Sequence, residues 1–350
     1  MSQTSRERVK RALTYDFPDR PPRELWALPY ANNHFPEVMA EMARRFPSDI
    51  GGVCNVCRPS SRSKGDPYAP GLAVDEWGCT FTNIQAGVHG EIKNPLIREI
   101  GDWQQVHPPF EIFPANQSEA RDTVNRYCGG TNRFVRAGCW PRPWERYQFL
   151  RGSENAMLDV MDPDCGARDL LRVIHEFYLK EFEFWMATDV DAIGFMDDWG
   201  SQHQLLIPPR VWRELFKPLY KDYCDMARAH GKFVFMHSDG YIQEIYPDLV
   251  EIGVNALNSQ VFCMDMPELA RIAKGKLAFW GEIDRQHVLP AEDPEVGRKA
   301  VREFCRHFYD PAGGIIAQFE FGAGANPATA LSLFDEWDKV AKEWNARLQA

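Results

Sequence analysis

The chain alternates short apolar runs with longer stretches whose apolar residues recur every three to four positions. Runs of the first kind bounded by turn formers read as buried strands, and stretches of the second kind read as amphipathic helices. The pattern predicts a helix from Thr4 or Ser5 to about Leu13, a strand over Glu24–Leu28, a helix over Pro36–Phe46 and a strand over Asp49–Val56. From Arg58 to about Pro114 Pro, Gly and Ser accumulate, and alternating pieces at Cys79–Ile84 and Val88–Lys93 flank a turn at Gly87. That segment has too few apolar residues for a core of its own and is expected as a β-hairpin excursion.

Regular alternation then resumes. Helices are expected over Ser118–Tyr127, Trp144–Gly152, Gly166–Met186, Pro209–Ala229 (kinked at Pro218), Gln243–Ile252, Met266–Ala273, Pro294–Tyr309 and Pro327–Leu348. Strands are expected at Phe134–Ala137, Ala192–Met196, from Phe233, at Ala256–Leu257, Leu277–Gly281 and Gly314–Phe319. About eight strand–helix units imply an α/β fold with a parallel sheet, and that number suggests a closed (β/α)8 TIM barrel, an open doubly wound sheet being the alternative. The expectation is a single barrel domain over residues 1–350, with 58–114 as an inserted region after the second strand.

Composition narrows the class. The 350 residues are 44% hydrophobic and 26% charged, enough for a large core, and the net charge of −10 has its basic residues scattered among acids. Nothing there forms an electrostatic footprint for nucleic acid. No apolar run approaches the roughly 18 residues that span a bilayer, and Met1–Arg11 is too polar for a signal peptide, so a cytoplasmic monomer or homodimer is expected. Nine cysteines, an odd number thinly spread, suit free thiols, and the Cys54/Cys57 CxxC reads as ordinary strand-end cysteines.

In a barrel, chemistry gathers at the carboxyl ends of the strands. Those ends carry Asn55 and Cys57, Cys139 and Trp140, Asp197 to Trp199, His237 and Asp239, Asn258 and Gln260, Glu282 and Asp284, and Glu320. His237 and Asp239 close the apolar run KFVFMHSDG, and residues two apart on an extended chain share a side. Together with Glu320 they are candidate ligands of a divalent metal with open positions, the alternative for Glu320 being a salt bridge to an arginine. Asp197 and Asp198 should face opposite ways, with Asp198 the better candidate for the mouth; Asp198, Asp197 and His237 are the candidate catalytic groups. Trp140, Trp199, Asn258, Gln260 and Glu282 are candidate substrate contacts, with Trp144 and Phe262 as further rim aromatics.

The stretches DEWG (Asp75–Gly78), DDWGSQ (Asp197–Gln202), HSDG with EIYPDLVEIGVNALN (to Asn258), FWGEIDRQHVLP (Phe279–Pro290) and GGIIAQFEFGAGANPATA (Gly313–Ala330) resemble the uroporphyrinogen decarboxylase superfamily. The resemblance implies a (β/α)8 barrel with its cleft at the carboxyl ends of the strands. It leaves two branches, the haem-pathway decarboxylases and the methyltransferases that work with corrinoid proteins. The decarboxylases carry an Arg-Gln-Ala-Gly-Arg run after the first strand, where this chain reads PPRELWALPYANN (Pro21–Asn33). The methyltransferase branch holds zinc with His-x-Cys and a later Cys; His237 matches the His, while Asp239 and Glu320 stand at or near the cysteine positions. The resemblance therefore implies a metal-assisted methyltransferase or demethylase, moving a methyl group from a small aromatic ether or amine to a corrinoid on a separate partner protein. The alternatives are a uroporphyrinogen decarboxylase-like enzyme or a non-catalytic small-molecule-binding barrel.

Overall fold

Residues 3–349, Cys54 excepted, are described by a computed structural model. The CxxC reading, which needs Cys54, lies outside the described residues. Among the described residues there are eleven strands: Arg23–Ala27 (β1), Ile50–Gly52 (β2), Gly71–Val74 (β3), Thr80–Asn83 (β4), Glu91–Asn94 (β5), Phe134–Arg136 (β6), Ala192–Met196 (β7), Phe233–Ser238 (β8), Ala256–Ser259 (β9), Ala278–Trp280 (β10) and Ile315–Phe321 (β11). Eight of them form one sheet in the order β1-β11-β10-β9-β8-β7-β6-β2, and every pairing in it is parallel. The two ends of that order meet through side-chain and loop hydrogen bonds. Asp49 N–H donates to the Arg23 carbonyl at 2.9 Å, and Arg23 N–H donates back to Asp49 Oδ2 at 2.9 Å. Asp49 is fully buried and also accepts from Ser5, Arg8 and Arg20, so the seam is a satisfied polar knot. The fold is a (β/α)8 barrel.

Helices follow the strands as the apolar periodicity requires. The helix expected over Pro209–Ala229 is two, Pro209–Leu215 and Lys217–Ala229, because Pro218 lacks an N–H and its ring opposes a continuous turn; it sits in the first turn of the second helix, where neither matters. The N-terminal helix Ser5–Thr14 starts in a full capping box between Thr4 and Glu7. Its Val9 and Leu13 pack with Ile50, Phe134, Phe235 and Ile316 and close the amino end of the barrel. The excursion is a three-stranded antiparallel sheet, β3-β4-β5, one strand more than the expected hairpin. Its first turn is built by Asp75, whose Oδ1 accepts from the N–H of Trp77 and of Cys79, and whose other oxygen pairs with Arg146. DEWG is thus a turn that ties the excursion to the helix Pro143–Arg151. No helix among the described residues is long and apolar enough to cross a membrane.

The upper barrel is filled with aromatics and one ion pair. Arg136 makes a two-pronged hydrogen-bonded pair with Glu24 at 3.0 and 2.8 Å and lies against the rings of Trp140 and Trp280. Trp140 reaches the axis because β7 carries Gly194 there; a Cβ at that residue would lie 2.8 Å from the indole. Polar groups above this plug are therefore held over a filled barrel, not over a pore.

Candidate active site

The loops after β7 and β8 are stitched together. Gly200 N–H donates to the Asp239 carbonyl, Tyr241 N–H to Ser201, and Asp239 N–H to Asp198 Oδ1 at 2.9 Å. Gly200 and Gly240 touch backbone to backbone, so a Cβ at either would meet the other residue or its chain neighbour at 2.1–2.2 Å, and Gly240 has φ +76°. This contact brings Asp198 and Asp239 to the same imidazole. His237 Nε2 lies 3.5 Å from Asp198 Oδ1 and 3.5 Å from Asp239 Oδ1.

The other ring nitrogen is fixed from below. Asn258 Nδ2 donates to the Trp280 carbonyl at 2.6 Å and to Gln318 Oε1 at 2.8 Å, which turns its oxygen towards His237. His237 Nδ1 therefore donates to Asn258 Oδ1 at 2.6 Å, and Nε2 faces the two aspartates. Burial opposes the imidazolium, but the Asp198 hydrogen bond and the Asp239 and Asp198 charges outweigh it and lift His237 to about 10.

Asp198, His237 and Asp239 are the one group of three ligand-type side chains among the described residues whose donor atoms all lie within 4.8 Å of one another. They fit a divalent cation. Donors at about 2.1 Å in a tetrahedral shell stand about 3.4 Å apart, close to the spacings seen from His237. Asp239 Oδ1 is buried and accepts no hydrogen bond, its polar neighbour being His237 Nε2 at 3.5 Å, so a cation taken up in exchange for the imidazolium proton would complete its coordination. One nitrogen and two oxygens admit zinc, iron or manganese.

Glu320 is elsewhere. Its Oε1 is 3.0 Å from Arg285 Nη1, while Arg285 Nε is 3.0 Å from Glu282 and its other terminal nitrogen pairs with Asp239. The expected grouping of His237, Asp239 and Glu320 is thus corrected in its geometry: the side chain that stands with His237 and Asp239 is Asp198, and Glu320 pairs with Arg285. Burial pushes Glu282 up to about 8 against the pull of Arg285. Its second oxygen is buried and unpartnered.

Asp197 is corrected as a catalytic candidate. It is fully buried and accepts from the N–H groups of Trp144 and Glu145 at 2.9 and 2.7 Å and from the Tyr220 hydroxyl, capping the helix Pro143–Arg151. Trp199 is likewise corrected as a substrate contact: it is fully buried, stacked on Trp144 and bonded to Tyr220. Trp144 is buried with it. Asn258 is buried too and acts on His237 instead of on a ligand. Gln260, Phe262 and Glu282 line a cavity of about 410 Å³ that also reaches Asp239, Arg285 and Glu320. Trp140 lines a second cavity on the other side of the mouth. Arg285 is the residue that strand-end spacing misses; its signal is a lone cation in the acidic run GEIDR.

A polar, charge-dense cluster at the carboxyl end of a parallel barrel is the arrangement of an enzyme-type (β/α)8 protein. The family model for uroporphyrinogen decarboxylase (URO-D) matches residues 76–344, and the chain belongs to that family. Among solved structures it is similar to a methyltransferase from Methanosarcina mazei, with a TM-score of 0.67 and 12% identity over 97% of this chain and 99% of that one. At that identity the likeness is one of fold. A glycosylated endo-β-1,4-xylanase from Gloeophyllum trabeum matches with a TM-score of 0.37 and 10% identity, over 63% of this chain and 80% of that one, and carries no argument. A comparison with curated protein sequences gives no match.

Proposed function

We infer that the chain is a metal-assisted methyltransferase that takes a methyl group from a small ether or amine and passes it to a corrinoid on a separate carrier protein. The observation that carries this is the group of His237, Asp198 and Asp239, with its buried, unpartnered Asp239 oxygen beside a cavity of ligand size. A divalent cation held there would supply Lewis acidity towards the heteroatom that bears the methyl group.

The chain's own groups do the rest. Asn258 holds the imidazole so that Nε2 points at the aspartates. Arg285 fixes Asp239, Glu282 and Glu320 in one array. Glu282, which burial raises against the pull of Arg285, is the carboxyl that returns a proton to the heteroatom as its bond to the methyl carbon breaks. Phe262, Leu289 and Leu28 give the cavity an apolar wall for the body of the donor.

A porphyrinogen fits this mouth poorly. Its many carboxylates need several free cations, and the lining of this cavity has Arg285, already engaged by Asp239, Glu282 and Glu320. The test is to purify the protein without chelator, measure bound metal, and incubate it with methoxylated aromatics or methylated amines plus a reduced free corrinoid. Methylation of the corrinoid, read in its visible spectrum and lost with the metal, is expected. Turnover of uroporphyrinogen at about 1 s⁻¹ without any methyl transfer would overturn the reading.

A further inference from the structure

The second cavity, about 470 Å³, lies beneath the excursion sheet at the carboxyl end of β6. Nothing in the methyl-transfer reading uses it. Its walls include the rings of Trp140, Phe81, Phe149 and Phe177, an aromatic slot of the size that takes a small molecule. Asp75 and Glu76 also line it, but both are paired with Arg146 and so bring little free charge.

Arg142 is different. Its Nη1 stands 3.5 Å from Glu145 Oε2, and its Nε is 3.4 Å from the Trp140 carbonyl, both at the outer limit of useful contact. Glu145 Oε2 has no hydrogen-bond partner, so the two groups neighbour each other without satisfying each other. A guanidinium is always charged, and Arg142 lines a cavity with aromatic walls. Glu181 lines the same space, and among the described residues its side chain has no hydrogen-bond or ion-pair partner. Burial, and then the Glu76 charge, push it up to about 8 against the pull of Arg142 and Arg146, which favours the acid form that can donate. Two donors, one of them cationic, facing a slot between rings complement a planar anion.

We propose that this cavity is a second small-molecule site, distinct from the His237 group, which takes a small aromatic carboxylic acid with its carboxylate on Arg142 and its ring between Trp140 and the Phe81, Phe149 and Phe177 rings. Arginine is suited to the task because its planar fork meets both carboxylate oxygens.

The test uses the full chain, with calorimetric titration of benzoate, benzamide and benzylamine. Benzoate binds saturably at one site per chain, benzamide more weakly and benzylamine not measurably. Stripping metal with a chelator leaves benzoate binding unchanged, which separates this site from the methyl-transfer reading. Arg142→Gln weakens benzoate by about tenfold or more, and Arg142→Lys, which keeps the charge and loses the fork, weakens it less. Circular dichroism melts confirm that both variants are folded. Absence of saturable benzoate binding, benzylamine binding as tight as benzoate, or benzoate affinity unchanged in a folded Arg142→Gln protein each overturns the proposal.

Discussion

At the scale of single residues, the decisive distinction is between Asp198 and Glu320. Both are acidic and both lie at strand ends, but one faces His237 Nε2 and the other is held by Arg285. Asp198→Asn and Asp239→Asn are expected to lower divalent-metal affinity at least about tenfold, while Glu320→Gln retains the metal; elemental analysis of the purified variants decides it. Asn258→Leu removes the acceptor that orients the ring and should cost about 10–100-fold in affinity. Asp197→Asn should behave otherwise, lowering the melting temperature through loss of about 1–3 kcal/mol of buried hydrogen bonding while leaving metal content intact. The opposed facing of Asp197 and Asp198, and the shared side of His237 and Asp239, were legible because strand geometry fixes them over one or two residues. Glu320 was not, since its partner reaches it across two loops through a long flexible side chain, and no spacing rule encodes that reach.

At the scale of elements, the site depends on how closely the loops after β7 and β8 approach. Gly240→Ala must push against Gly200 and adopt a left-handed backbone, so both stability and metal content should fall together, as measured by thermal melts and metal analysis on the same sample. The eight barrel strands and the longer helices were readable from apolar periodicity, while the short helices Pro29–His34 and Ser153–Asp159 were not. The excursion was read one strand short. Gly71–Val74 is a four-residue strand with two exposed residues, so it carries no alternating burial signal, and what holds it is pairing with β4.

At the scale of the whole molecule, titration of buried acids links pH to stability. Glu181 has its folded value raised from 4.5 to about 8. The folded state keeps that proton when the unfolded chain has released it, so stability attributable to this residue falls as pH rises from about 4.5 to 8 and is flat beyond. Glu181→Gln should accordingly raise the melting temperature at pH 8 and change it little at pH 4.5, a comparison that differential scanning calorimetry makes directly. The family match begins at residue 76, yet β1 and β2 precede it and close the sheet through Asp49. That seam was invisible in the sequence because its ligands, Ser5, Arg8, Arg20 and Asp49, belong to no periodic pattern.

The indoles packed at the top of the barrel give the molecule a built-in optical gauge. Trp26 lies 5.2 Å ring to ring from His237 and 5.0 and 6.4 Å from Trp280 and Trp140. Its emission should therefore be quenched when a paramagnetic ion such as cobalt(II) settles on that imidazole, and Trp26→Phe should silence most of the response. Because Trp140 also walls the second cavity, the same light would register occupants arriving from either side of the mouth.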